Sequence, residues 1–288
     1  TNYWEWSGGM SAYNHWAGEG AVVDPLRTFA NWVDYNGYVT RFYAGEKQNQ
    51  MFRNYIKFLI ERVNPYTGVA YRDEPAIMAW QLANEPRPGA GDIIDEVAPE
   101  WVNWIDQTAA YIKSLDPNHL VSTGNEGVMG SGGSEEYFLQ AHASPNIDYA
   151  TFHIWAKNWS WYDAENAEET YPVAEQNAVD YFETHMQLAQ ELGKPITLEE
   201  FGLGRDKESF DPETGTTYRD RYLKAIFEQV EAGLAAGKPI AGTNFWAWGG
   251  FGIAKQADYY WQPGDPFTGD PPQEPQGLNS VYATDSTT

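Results

Sequence analysis

The sequence predicts an α/β fold built on a parallel sheet with crossover helices. Two Gly-Lys-Pro junctions, Gly193-Lys194-Pro195 and Gly237-Lys238-Pro239, each close a helical pattern and open an apolar run. Glycine takes the left-handed cap and proline cannot continue the helix, so each junction is a stop signal with a mechanism. Apolar runs alternate with amphipathic stretches, which is the pattern of strand–helix–strand units. The length, 288 residues, suits one large domain of this kind. An open doubly wound sheet and a closed barrel both satisfy the alternation. No glycine-rich dinucleotide fingerprint or phosphate loop follows any strand, which lowers the nucleotide-binding form of the open sheet.

The elements follow in order. Residues 1–4 read as a strand stub. Met51, Tyr55, Phe58, Leu59 and Arg62 mark a helix ending near Asn64-Pro65, and residues 76–83 form the first full strand candidate. Trp101, Ile105, Thr108, Ile112 and Leu115 mark a second helix, stopped by Asp116-Pro117 and followed by strand candidates at 120–123 and 147–152. Val179, Phe182, Met186 and Ala189 mark the next helix, and Tyr222, Ile226, Val230 and Leu234 the last. The runs 195–198 and 240–245 after the two junctions complete the strand candidates. Each stripe gives a helix one face to bury. A closed barrel needs eight strands, and five with a stub are found. The tail, 263–288, has Pro-Gly-Asp turn chemistry and no long helical period.

Composition narrows the function. The net charge is −23, from 41 acidic and 18 basic residues, which works against nucleic acid and against an anionic membrane surface. A neutral substrate is compatible with it. No apolar stretch reaches membrane-spanning length. The absence of cysteine excludes disulfide scaffolds, Cys-ligated zinc and thiol nucleophiles. No metal site is predicted, because no ligand pair stands at helical i, i+4 spacing. The aromatic content is high, with 13 Trp and 19 Tyr. Trp clusters with polar residues in Asn2-Tyr3-Trp4-Glu5-Trp6 and in Trp155-Ala156-Lys157-Asn158-Trp159-Ser160-Trp161. Such rings either stack on a flat ligand face, such as a sugar, or anchor long loops to the core.

Polar residues recur where the apolar runs stop. The strand ends carry Asn84-Glu85-Pro86-Arg87, Gly124-Asn125-Glu126-Gly127, His153-Ile154-Trp155, Glu199-Glu200-Phe201-Gly202 and Trp246-Ala247-Trp248-Gly249-Gly250. In parallel barrels that face carries the active site, so carboxylates, an Asn, a His and several Trp are expected to converge there. Two carboxylates on one bond suit glycoside cleavage. One donates a proton to the leaving oxygen while the other attacks the anomeric carbon, with carboxyl groups roughly 5–5.5 Å apart in a retaining enzyme.

Asn84-Glu85-Pro86, followed far downstream by Glu200-Phe201-Gly202, resembles glycoside hydrolase family 5. Asn2-Tyr3-Trp4 with Gly8-Gly9-Met10 and Glu274-Pro275-Gln276-Gly277 are similar to the endo-β-1,4-mannanase branch, and the likeness extends over essentially the whole chain. The resemblance implies a (β/α)8 TIM barrel and a retaining endo-mannanase acting on mannan, glucomannan or galactomannan without a cofactor. It implies Glu85 as acid/base and Glu200 as nucleophile. Asn84 would contact the sugar 2-hydroxyl, Arg87 and Glu126 would line leaving-group subsites, and His153 would sit by the catalytic pair. Trp246 would be the platform under the reacting sugar, and Trp4 would line the cleft. At Trp155 many relatives carry a Tyr whose hydroxyl orients the nucleophile; here an indole would stand instead.

The family pattern also carries two strand–helix units before the segment matching Thr1, one with an Arg near the nucleophile, and a helix after the tail. The expected fold is therefore a barrel lacking those first two units and the last helix in this chain. Residues 1–288 would be a single catalytic domain trimmed at both ends, from a secreted or periplasmic monomer. Plainer readings stand beside these. Glu85 suits a loop carboxylate, His153 a buried hydrogen-bonded histidine and Arg87 an ion pair. Trp159, Trp161, Trp248 and Trp261 suit either platforms or packing. Periodicity does not choose between Glu199 and Glu200, which face opposite sides of a strand. A β-1,4-glucanase on the same scaffold and a non-catalytic carbohydrate-binding barrel are the rival functions.

Overall fold

The computed structural model describes residues 1–4, 8–25 and 30–285. Glu5 and Trp6 of the first aromatic run lie outside them. The chain divides into two compact units, one of Thr1–Phe152 with Glu191–Pro195 and one of His153–Gln190 with Ile196–Thr288.

The first unit opens with four helices, α1 (Gly9–Ala17), α2 (Trp32–Val39), α3 (Arg41–Ala44) and α4 (Glu46–Glu61). The first three are short and were not legible as periodic stripes. Local capping defines α2: the Asn31 side chain accepts from the Asp34 N–H at 2.9 Å, and Asp34 reaches back to the Asn31 backbone. Strand β1 (Ala79–Gln81), helix α5 (Ile94–Leu115), strand β2 (Leu120–Ser122) and helix α6 (Glu135–His142) follow. β1 and β2 pair in parallel, Trp80 opposite Val121.

The N-terminal stub joins this sheet through a parallel bridge between Asn2 and Asn84. Gly9 explains why α1 can start against that stub. A Cβ there would lie 2.1 Å from the Asn2 carbonyl oxygen and 2.7 Å from that of Trp4, so no side chain fits. The core beneath is largely aromatic, with Tyr3, Tyr35, Phe42, Phe52, Trp101 and Trp104 all buried.

Two expectations are corrected in this unit. The apolar run 76–83 contributes only three residues of paired strand, because Ala76 sits in a turn and residues 77–78 and 82–83 fall outside β1. In α4 the buried stripe is Phe52, Ile56 and Ile60, whereas Tyr55 and Phe58 are exposed. The apolar faces of this helix exceed the area it buries, so hydrophobic spacing alone placed the stripe one residue off.

The second unit receives the carboxyl end of β3 (Ala150–Ile154), then α7 (Ala167–Leu192), β4 (Ile196–Phe201), α8 (Thr217–Ala235), β5 (Ile240–Thr243), β6 (Trp248–Gly250) and β7 (Val281–Tyr282). The sheet order is β3-β4-β5, with β4 and β5 parallel and Ile196 opposite Ile240. β3 and β4 run past their predicted ends, so His153, Glu199 and Glu200 lie within strands rather than after them.

Both Gly-Lys-Pro junctions behave as predicted, with Gly193 at φ 65 and Gly237 at φ 69 closing α7 and α8. In α7, Phe182, Met186 and Ala189 are buried as the stripe requires, whereas in α8 Leu234, in the last turn, is exposed. The tail, read as turns, contributes β7, which pairs in parallel with β6. It is fastened by Asp285, which bridges two buried arginines, Arg205 at 2.5 Å and Arg219 at 2.8 Å. Among the described residues no helix is long and apolar enough to cross a membrane.

Candidate active site

In the first unit the structure gathers Trp4, Asn84, Glu85, Arg87 and Glu126. The stub and β1 fix the first two: the Tyr3 N–H donates to the Asn84 carbonyl at 3.0 Å, and the Asn84 side chain donates to Asn2 Oδ1 at 3.3 Å. One residue on, Glu85 is buried and its backbone has φ 48, a left-handed conformation rare for a residue with a side chain. Its N–H donates to the Gly124 carbonyl at 2.9 Å. The turn sends the carboxylate toward Trp4, whose indole Nε1–H donates to Glu85 Oε2 at 2.7 Å. Trp4 is itself held flat on Tyr35, with ring centroids 6.1 Å apart and planes 7° from parallel.

Arg87 lies over the Trp4 ring, 4.9 Å from its centroid, and donates to both oxygens of Glu126 at 2.5 Å. Burial alone would lower the Arg87 pKa, but the Glu126 and Glu85 charges outweigh it and raise it above the ordinary value. Glu126 is 1% exposed, so this ion pair is largely desolvated. The loop carrying Glu126 is braced by residues that the sequence did not single out. The Asn125 amide donates to the Pro86 carbonyl at 2.9 Å, and Thr151 donates to the Asn125 carbonyl at 2.7 Å. Thr123 accepts from the Asn125 N–H at 3.1 Å and meets His142 Nε2 at 2.8 Å.

In the second unit His153, Trp155, Glu200 and Trp246 come together. Of the two adjacent glutamates at the end of β4, Glu200 meets the Trp155 indole, which donates Nε1–H to its Oε2 at 3.2 Å. The same oxygen lies 3.4 Å from Nδ1 of His153, a residue 2% exposed. The chain at Trp155 is placed by Tyr222, whose hydroxyl donates to the neighbouring Ile154 carbonyl at 3.2 Å. Trp246 meets the edge of Trp155 with ring centroids 6.4 Å apart and planes at 71°. Its backbone N–H donates to the Phe201 carbonyl at 2.8 Å, and its peptide bond to Ala247 is cis.

The second aromatic run divides by contact. Trp159 and Trp161 meet each other at 4.9 Å and both lie against Tyr181 of α7, so they fasten the loop to a helix. Trp261 stacks on Phe267 at 5.2 Å, and Trp248 is largely exposed.

Parallel strands joined by helices, with carboxylates and indoles at their carboxyl ends, define a protein of the (β/α)-barrel class, and the likeness to solved structures below supports that assignment. The chain belongs to glycoside hydrolase family 5: the "GH family 5 beta-mannosidase-like" description matches residues 1–288. The solved glycoside hydrolase family 5 mannosidase from Rhizomucor miehei superposes with a TM-score of 0.85 at 34% identity, covering 99% of this chain and 67% of that one. The endo-β-1,4-mannanase from Thermotoga petrophila superposes with a TM-score of 0.66 at 28% identity, covering 99% and 54%. Among curated relatives, putative mannan endo-1,4-β-mannosidase 4 of Arabidopsis thaliana is 33% identical over 261 residues, covering 85% of this chain and 57% of the relative. The chain thus spans a little over half the length of such relatives.

Proposed function

We propose that this chain is the catalytic part of an endo-acting retaining glycoside hydrolase that cleaves internal β-1,4-mannosidic bonds in mannan, glucomannan or galactomannan. The observation that carries the reading is a parallel one in the two units. Glu85 and Glu200 each stand at the carboxyl end of a strand, and each accepts an indole N–H, from Trp4 and Trp155. Those contacts fix the carboxylate planes with neutral donors.

In the proposed reaction Glu200 attacks the anomeric carbon and forms a glycosyl-enzyme ester. Glu85 gives its proton to the leaving oxygen, then takes one from the water that hydrolyses the ester. Asn84 contacts the 2-hydroxyl beside the reacting carbon. Arg87 and Glu126 form a leaving-group subsite, in which Glu126 balances the guanidinium charge. His153 stands beside the nucleophile, Trp246 carries the reacting sugar and Trp4 the cleft wall.

The relatives named mannan endo-1,4-β-mannosidases support mannan as the substrate. The net charge of −23 suits a neutral polymer. Such a polymer is met outside the cytoplasm, which supports a secreted or periplasmic enzyme, and no second subunit is required by the roles assigned.

Initial rates on mannan and on soluble cellulose test the substrate: mannan is cleaved faster, and faster cellulose cleavage overturns the choice in favour of a glucanase. Binding of either polymer with no cleavage favours a carbohydrate-binding barrel. A second reading has its own observation. The Rhizomucor miehei mannosidase superposes at a TM-score of 0.85, whereas the Thermotoga petrophila mannanase lies at 0.66. An exo-acting β-mannosidase would release single mannose units from mannohexaose from the first turnover, while the endo enzyme releases shorter oligosaccharides.

A further inference from the structure

We propose that His119 is held as an imidazolium and forms a pH-sensitive latch, which ties the 3-10 turn Tyr71–Asp73 to the amino end of β2 and loosens it as pH rises.

The geometry around the ring fixes its protons. Nδ1 lies 2.6 Å from Oδ2 of Asp116, and Nε2 lies 3.0 Å from the Glu74 carbonyl oxygen. A carbonyl can only accept. The Asp116 carboxylate is fully buried, and its other contacts are donors. The Trp80 indole N–H reaches Oδ2 at 2.7 Å, and the backbone N–H groups of Asn118 and His119 reach Oδ1 at 2.9 and 3.1 Å. Donors on both oxygens favour the ionised form. A neutral imidazole has one N–H, so it satisfies one of its two acceptors and turns a lone pair on the other. The imidazolium satisfies both, and it also balances a buried negative charge.

The charged groups near the ring come from each segment packed against it. In the turn, Arg72 and Asp73 pair with each other at 3.7 Å, and the Glu74 carboxylate accepts the Ala76 N–H at 3.3 Å. On α5, Lys113 donates to the His119 carbonyl at 3.0 Å and pairs with Asp148 at 2.6 Å. β1 contributes the neutral Trp80 ring, 6.1 Å away with planes at 78°. Burial works against the charged imidazole. The bonds to Asp116 and Glu74, with the charges of Asp116 and Asp73, outweigh it and hold the His119 pKa above 6.5.

A folded-state pKa above the unfolded one means the folded chain keeps the proton longer. The latch therefore contributes fully below pH 6.5, and its contribution is lost as pH rises through the folded pKa. The neutral ring keeps Nδ1–H toward the Asp116 charge, so the bond to Glu74 is the one that breaks. Two ties to the turn do not titrate with the ring. The Asn118 side chain donates to the Arg72 carbonyl at 3.2 Å, and the Tyr71 N–H donates to the Arg62 carbonyl at 3.0 Å. The turn thus loosens at one end while the rest of its anchorage stays.

Two measurements on the full-length protein test the latch, and neither needs turnover. In the first, nitrogen-15 NMR follows the histidine rings, with His119 assigned through its own backbone. Below pH 6.5 both of its ring nitrogens carry protons, and its midpoint lies above 6.5. Asp116→Asn raises the acid dissociation constant of the ring by about tenfold or more. A midpoint at or below 6.5, or one that Asp116→Asn leaves unmoved, overturns the proposal. In the second, amide hydrogen exchange is followed across that midpoint and corrected for its intrinsic pH dependence. Exchange at the Asp73, Glu74 and Ile77 N–H groups speeds up by about tenfold or more as the ring loses its proton, while that of Trp104 in α5 does not change. No acceleration at the turn, or an equal one at Trp104, shows an ordinary buried pair and overturns the latch. If Asp116→Asn does not fold, the midpoint and the exchange pattern of the unaltered protein decide alone.

Discussion

Trp155 donates its indole N–H to Oε2 of Glu200 at 3.2 Å, the oxygen that also faces His153 Nδ1 at 3.4 Å. An indole thus makes the contact that the family resemblance assigns to a tyrosine hydroxyl. A donor to a charged carboxylate contributes about 1.5–3 kcal/mol. Trp155→Phe keeps the ring and removes the donor, so kcat is expected to fall about ten- to a hundredfold, with the melting temperature little changed. Steady-state kinetics beside a thermal melt check this, and an unchanged kcat removes Trp155 from the mechanism.

Glu85→Gln preserves shape and removes the proton. In its proposed role as general acid/base, Glu85 would supply about 10²–10⁴-fold in rate, and the variant is expected to lose that much on mannan. The loss should be smaller on an aryl mannoside whose leaving group needs no proton. Equal losses on both substrates contradict the assignment of Glu85 as the acid.

Arg87 and Glu126 are coupled, because Glu126 is 1% exposed and takes both its short contacts from one guanidinium nitrogen. Arg87→Ala strands a buried carboxylate, which costs about 3–5 kcal/mol. The double variant Arg87→Met with Glu126→Met is expected to be more stable than Arg87→Ala alone. Urea denaturation of the set measures this, and additive losses would show that the pair is not energetically linked.

His142 sets an acid limit on the first unit. It is fully buried, with Nδ1 at 2.8 Å from the Phe138 carbonyl, which makes Nδ1 the donor and leaves Nε2 to accept from Thr123. Burial lowers its pKa from 6.5 to about 4, and the nearby Lys194 charge adds to this. A folded-state pKa below the unfolded one means the unfolded chain binds the proton first. The contribution is fully present above pH 6.5 and is lost as pH falls through about 4. That loss is on the order of 3 kcal/mol. In His142→Phe, the slope of stability against pH across this window is expected to flatten by one proton, which chemical denaturation at a series of pH values reports. An unchanged slope would place the acid sensitivity elsewhere.

How far the sequence anticipates this structure depends on how local each signal is. Gly193 and Gly237 are legible because a left-handed cap needs only a few neighbouring residues. The strand ends carrying Glu85, His153 and Glu200 are legible for a related reason, since each polar residue interrupts an apolar run. The α4 stripe is misplaced because Tyr55 and Phe58 are apolar yet exposed, and only tertiary packing decides which face is covered. The choice between Glu199 and Glu200 is closed to periodicity, whereas the contact to Trp155 distinguishes them at once. The Trp159–Trp161 run is ambiguous until Tyr181, twenty residues away, provides its partner.

The left-handed backbone at Glu85 has a practical side. Glycine adopts that conformation freely, asparagine and aspartate with little penalty, and β-branched residues poorly. Few amino acids can therefore stand there without disturbing the turn that follows β1, and glycine relieves the backbone while deleting the carboxylate. A chain altered to Glu85→Gly would keep the turn and the Arg87–Glu126 pair, and would lose the Trp4–Glu85 contact. It would be a quiet receptor in which an intact glycan could be caught and seen.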